Sequence, residues 1–174
     1  MTHPVFFKKR SPTMSGQRQQ NGFSLIELLL VVAIIGIISS IAIPNLLASK
    51  RSANEGSAFS AMRTIHSAQV TYLNTAGAGN YGTLNSLGTE GLIDGVLSTG
   101  TKSGYTVACP AGNLTVGPPP TFFVTAVPAN TAAVTRTGTR SFAVADDGIV
   151  RGKVTDTAAP TRADVLTSAL WPPL

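Results

Sequence analysis

Residues Gly22–Ile43 read GFSLIELLLVVAIIGIISSIAI, and the reading of this stretch decides the fold. It is apolar almost throughout, with a single carboxylate, Glu27, near its start. From Leu28 to Ser49 there is no charged residue. At about 1.5 Å per residue a helix of that length covers roughly 33 Å, enough to cross a hydrocarbon core. Gly36, Ser39 and Ser40 interrupt the apolar surface and permit close helix contacts. A carboxylate at the bilayer centre would cost about 2.5–3.5 kcal/mol on insertion scales. Glu27 lies instead in the first turn of the helix, where it reaches the interface and where the helix dipole favours a negative charge.

Outward from this stretch the composition changes on both sides. Before it, residues 1–22 are polar and basic, and hold Pro4, Pro12 and Gly16. They read as a leader without fixed structure. The chain has 174 residues and a formal net charge of +5. Lys8, Lys9, Arg10 and Arg18 precede Gly22 with no acidic residue among them, and the remainder is nearly balanced. That places the excess cations at a membrane-orienting flank and gives no basic face for nucleic acid.

After it, Pro44 falls inside the helical pattern, removes one backbone hydrogen bond and is expected to kink or loosen the preceding turn. Beyond Pro44 the pattern becomes one-sided. Ala58, Ala61, Met62, Ile65, Ala68, Tyr72 and Leu73 recur at three- and four-residue steps, while Asn54, Glu55, Arg63, Thr64, Ser67 and Thr71 fill the other face. The spacing predicts one helix from about Phe23 to Leu73, stopped by NTAGAG at 74–79. Residues 23–49 form its membrane or filament-core half and 50–76 its amphipathic half. Residues 77–100 read as a connecting loop with short helical turns near Leu84–Leu87 and Glu90–Ile93.

Residues 101–174 read as an antiparallel sheet domain with a C-terminal tail. Strand-like runs are GYTVAC (104–109), TFFVTAV (121–127), SFAVAD (141–146) and IVRGKV (149–154). Asp147-Gly148 between two of them is a hairpin signal. A last apolar patch, Val165, Leu166, Leu170 and Trp171, is expected to dock partly on the sheet. The fold class is therefore α+β: a long N-terminal helix packed on a small antiparallel sheet.

Glu27 needs a cation if it is to be buried among packed apolar helices, because an unmatched charge there is expensive. A cut between Gly22 and Phe23 would supply one, the new α-amine of Phe23. That amine could belong to the same subunit or to a neighbour. In either arrangement the pair would act as a register lock.

These residues carry a resemblance. Lys8-Lys9-Arg10, Gly22 followed by Phe23, Glu27, the long apolar run and Pro44 resemble the class III signal of type IV pilins and type II secretion pseudopilins, closely over residues 16–50. The resemblance implies a pilin-like fold and a structural, non-enzymatic role. It implies cleavage after Gly22 by a prepilin peptidase, N-methylation of Phe23, and residence in the bacterial inner membrane with the N-terminus cytoplasmic and the C-terminal domain periplasmic. It also implies assembly into a homo-oligomeric pilus or pseudopilus filament, helped by an inner-membrane platform protein, an assembly ATPase and other minor pilins or pseudopilins. Membrane lipid is the partner before assembly. Many type IV pilins close a C-terminal loop with a disulfide, whereas Cys109 is alone and reads as a small buried hydrophobe.

Some secretion pseudopilins bind calcium through a C-terminal acidic cluster. Asp146, Asp147 and Asp156 are the candidates here, though Asp147 is better explained by the Asp-Gly turn and no ligand spacing supports a metal. His3, His66 and Cys109 are too widely spaced for a zinc site. The expectation is no metal and no cofactor. An ordinary secretory signal is disfavoured because its apolar core is about 7–15 residues. A single-span membrane-anchored periplasmic binding domain unrelated to filaments explains the span and the soluble domain, but not the GFxxxE arrangement. No nucleophile–base–orienter set or phosphate loop supports an enzyme.

Overall fold

A computed structural model describes residues 22–109, 114–115, 119–154, 158, 161–167 and 169–174. The basic leader expected over 1–21 and the calcium candidate Asp156 lie outside the described residues. The chain divides into two compact units, residues 1–40 and 41–174, each described by itself below.

Helix α1 runs Leu25–Asn74 and contributes to both units. In the first unit its large apolar side chains, from Leu25 to Ile38, are exposed. Among the described residues no protein surface covers them, which is the signature of a helix whose solvent is lipid or other helices. In the second unit α1 has one buried face, formed by Ala58, Ala61, Met62, Ile65 and Ala68. The sequence spacing anticipates this face, and it also contains a residue the apolar pattern passes over, Gln69.

Two short helices follow. α2 is Leu84–Thr89, and its N-cap Thr83 accepts a hydrogen bond from Ser86 N at 3.2 Å. It ends on Gly91, in the left-handed region at φ 67°, with Leu92 N donating to Leu87 O at 2.9 Å. That 6→1 bond satisfies a terminal carbonyl. α3 is Gly95–Ser98 and not the expected Glu90–Ile93. The Asp94 carboxylate accepts from Leu97 N at 2.6 Å and starts the helix after itself, while Gly91 forbids one before.

The sheet contains β1 (Thr101–Lys102), β2 (Tyr105–Ala108), β3 (Leu114–Thr115), β4 (Thr121–Pro128), β5 (Ser141–Ala145) and β6 (Val150–Lys153). Its order is β1-β2-β4-β5-β6, with β3 also pairing β4, and every pairing is antiparallel. The short β1 escapes the hydrophobic pattern. It is fixed by the two-residue turn Ser103-Gly104, both at positive φ, which joins Lys102 to its partner Tyr105.

Alternation along the strands sorts side chains to two faces. Tyr105, Val107, Phe122, Val124, Ala126, Phe142 and Val144 join the α1 face in the main core. Phe123, Ala143 and Ala145 point the other way and meet Val165 and Trp171. The tail therefore docks on the sheet as expected, but through a helix the sequence reading left out, α4 (Arg162–Leu166), capped by Thr161. Leu170 of the expected patch stays 45% exposed. At the sheet edge, Gly152 N donates to Pro172 O at 3.1 Å and Leu174 N to Val150 O at 3.2 Å, so the tail pairs with β6.

Candidate functional site

The candidate site is the N-terminal end of α1. Glu27 lies in the first helical turn, exposed, with Phe23 two residues before the helix and 83% exposed. Leu28 N closes the first turn on Ser24 O at 3.2 Å. Among the described residues Glu27 pairs with no cation. Among the described residues, Gly22 has nothing within 4 Å of an ideal Cβ. The described residues therefore set no steric demand for a glycine at this position. Gly36 likewise faces open space, so a neighbouring helix could approach there without displacing anything of this chain. Further along, Ser40 donates to Ile37 O at 2.7 Å and hides its hydroxyl, the usual device for a hydroxyl in an apolar helix. Pro44 lies inside α1, and the helix continues on both sides of it.

In the second unit, polar residues of α1 hold the segment between β4 and β5. Asn54 Nδ2 donates to Thr137 O at 2.9 Å. Glu55 Oε1 accepts from Thr139 N at 2.7 Å and from Thr139 Oγ1 at 2.6 Å. Arg51 donates to the carbonyls of Ala133, Val134 and Arg136 at 3.3–3.4 Å. The helical pattern assigns Asn54 and Glu55 to a solvent face. It reads amphipathicity alone and cannot anticipate that a loop eighty residues later brings unpaired backbone groups to them.

The two described calcium candidates are engaged by arginines. Arg162 meets Asp146 through two bonds, at 2.5 and 2.7 Å, and Arg151 meets Asp147 at 2.6 and 3.2 Å. Burial alone would push the Asp147 carboxyl up, but the bonds from Arg151 and Ile149 N outweigh it and hold the group below the usual carboxylate range. Asp147 Oδ1 also accepts from Ile149 N at 3.2 Å, which shapes the turn. Asp147-Gly148 thus serves the β5–β6 connection, though the strands pair from Val144↔Val150 outward, leaving a longer loop than a two-residue turn. Among the described residues no three His, Cys, Asp or Glu side chains cluster as a metal site would need.

Cys109 is buried, and burial pushes its thiol up to about 12 against the opposing hydrogen bond from Gln69. His66 is half-buried and packs on Phe122, ring centroids 6.0 Å apart.

Comparison with known proteins bears on the N-terminal segment. Residues 17–43 match the family described as the prokaryotic N-terminal methylation motif. The type IV wide pilus major component PilA4 of Thermus thermophilus is 55% identical over 38 residues, which is 22% of this chain and 29% of the relative. The type II secretion system core protein G of Aeromonas hydrophila is 36% identical over 56 residues, 32% of this chain and 39% of the relative. The type IV major pilin protein PilA of Myxococcus xanthus is 39% identical over 54 residues, 31% of this chain and 24% of the relative. The chain thus spans well under half the length of the curated relatives it matches. No solved structure matches. The chain carries the prokaryotic N-terminal methylation motif, which extends into helix α1, and is similar in sequence to part of type IV pilins and of the type II secretion core protein G.

Proposed function

We propose that this chain is the precursor of a filament subunit, of a type IV pilus or a type II secretion pseudopilus, that is held in the inner membrane until assembly. One observation carries the reading: the methylation motif extends into a helix apolar enough to cross a membrane, and none of that apolar window is buried among the described residues. Uncovered apolar surface of this extent requires lipid first and neighbouring helices later.

In this reading a prepilin peptidase cuts after Gly22. The open space around that glycine among the described residues agrees with a requirement imposed by an outside enzyme. The new Phe23 amine is methylated. Glu27, in the first turn, meets the amine of Phe23, and their pairing in an apolar filament core fixes axial register. Pro44 marks where the helix loosens as the subunit leaves the bilayer. Residues 23–49 form the span and filament core, and 50–174 the outward-facing periplasmic part. The work of extraction comes from a cytoplasmic ATPase acting through a platform protein, and this chain itself catalyses nothing. The anchored-binding-domain alternative leaves the methylation motif without a purpose.

Glu27→Ala tests the register lock. The variant should insert in the membrane and be processed normally, yet give far fewer filaments than wild type; unchanged filament yield rejects the role given to Glu27. Intact-mass analysis of the membrane form should find a methylated Phe23 at the N-terminus. A chain still beginning at Met1, in cells with active peptidase, rejects the processing step.

A further inference from the structure

The connection between β4 and β5 has a feature that folding does not require. Its tip, Ala132, Ala133 and Val134, is apolar and exposed, with Val134 at 71%. The tip is nonetheless held firmly. Asn130 binds Thr135 Oγ1 at 3.0 Å and Ala132 N at 2.9 Å through its side chain, and Thr137 N at 3.0 Å through its carbonyl. The carbonyls of Ala133 and Val134 are both taken by Arg51. An apolar tip with the carbonyls of Ala133 and Val134 already taken can leave bulk water at lower cost, since an orphaned carbonyl is expensive in a less polar layer.

The height of this tip along α1 is set by its partners. Arg51 and Asn54 lie within about 8 Å of Ser49, the last uncharged residue, at about 1.5 Å per helical residue. A groove of about 230 Å³ opens at that level, lined by Leu47, Lys50, Arg51, Asn54, Arg136 and Thr137. Three of these are cations, and Leu47 belongs to the apolar run itself. An apolar tip beside a cationic groove, continuous with an apolar helix, is the pattern of an interfacial membrane contact.

We infer that the 129–140 loop, with Lys50, Arg51 and Arg136, is a second membrane contact, which seats the unassembled subunit on anionic phospholipid headgroups at the outer face of the bilayer. The inference rests on the membrane-held state proposed above. Lys50 attracts the headgroup phosphates, and Ala132–Val134 rest among the headgroups. The contact fixes the soluble part against the bilayer until the subunit is extracted.

The test uses the full chain in lipid vesicles, with an environment-sensitive dye on a single introduced thiol, Val134→Cys. The native Cys109 is buried and stays unlabelled, as a wild-type labelling control checks. A second protein, Ile37→Cys, reports insertion of the span. In vesicles containing phosphatidylglycerol the dye at position 134 should brighten several-fold over phosphatidylcholine alone, and headgroup spin labels should quench it. Adding Lys50→Gln should remove most of that gain. If the dye at 37 reports lipid while the dye at 134 stays in water in both vesicles, the headgroup contact is wrong and the membrane-held state stands. If the dye at 37 stays in water, the membrane-held state fails and takes the contact with it. A signal at 134 that follows protein density, not anionic lipid, assigns the loop to a neighbouring copy and overturns the inference.

Discussion

The side chain of Gln69 forms a closed pair with the backbone of Gly82: its Nε2 donates to Gly82 O at 2.6 Å, and its Oε1 accepts from Gly82 N at 2.9 Å. Gln69 is fully buried, so both bonds lie inside the core. The pair ties the chain leaving the α1 turn back onto the helix, close to where Tyr72 packs against Gly82. Gln69→Ala removes both bonds, leaving the buried Gly82 N–H without a partner and its C=O with only the weak 3.9 Å contact from Cys109 Sγ. An unsatisfied buried group costs about 1–3 kcal/mol, so the variant should lose at least that much in urea unfolding of the detergent-solubilised chain. Gln69→Glu keeps one acceptor, loses the donor and buries a charge, and should be no better than alanine. A loss under a few tenths of a kcal/mol would mean Gly82 finds other partners.

Gly148 faces His66 across the β5–β6 turn. Its φ is 73°, and a Cβ there would lie 2.9 Å from both Cε1 and Nε2 of the imidazole. Gly148→Ala therefore carries two penalties: the left-handed backbone, about 1–2 kcal/mol for a residue with a Cβ, and the contact with the ring. Combining Gly148→Ala with His66→Ala removes the second and keeps the first. The double variant should recover part of the loss relative to the sum of the single changes, a coupling readable in a double-mutant cycle. Strict additivity would show that the ring moves aside freely.

How much of this was legible in the sequence depends on the range of the interaction. The length of α1, the uncovered apolar half and the Ala58–Ala68 stripe follow from local periodicity, and so do β2, β4, β5 and β6 within a residue or two. The candidate site residues Gly22, Phe23 and Glu27 are also a local pattern, and they fall inside the matched segment 17–43. What escaped is set by contacts distant in sequence. Gln69 reads as a break in an apolar stripe, and only the arrival of Gly82 turns it into core. Asn54 and Glu55 read as solvent-facing until the β4–β5 segment reaches them. The helix α4 is five residues long, below any periodic signal, and forms because Thr161 caps it and Val165 finds Phe123, Ala143 and Ala145. Asp94 is a residue type that caps helices, but the expected turn over Glu90–Ile93 stops before it and gives it no role.

Acid should weaken the turn that holds Asp147. Its carboxyl is held below its usual range in the folded chain, burial being overcome by Arg151 and Ile149 N. A depressed folded pKa means the stabilisation is present above the unfolded value, about 3.9, and is lost as pH falls through the folded value. Wild type minus Asp147→Asn stability should therefore be flat from neutral pH down to about 5 and shrink below about 4. The amount is modest, about 1 kcal/mol at most, because the pair is partly open to water. A difference that stays constant down to the acid transition would show that Asp147 contributes through turn shape alone.

Alkali should act on the core through Cys109. Burial raises its thiol to about 12, while in the unfolded chain a cysteine titrates near 8.5. A raised folded pKa means the folded state is at full advantage below the unfolded value and loses it as pH climbs toward the folded one. The loss approaches about 1.4 kcal/mol per pH unit between those limits. Tyr81 and Tyr105 are also raised by burial, so the absolute alkaline loss has several sources. Comparison with Cys109→Ala isolates the thiol, because the tyrosines are common to both proteins. At about pH 7.5 the alanine variant should be the less stable, through lost packing and the lost contact with Gln69 Nε2. From about pH 9 upward the two unfolding midpoints should converge, since only wild type gives up energy to a thiolate in its unfolded chain. Alkylation supplies an independent reading: modification of wild type at neutral pH should track the opened population and accelerate with urea. Midpoints that stay parallel through about pH 10, together with rapid alkylation of the folded chain, would place the thiol at the surface and contradict its burial.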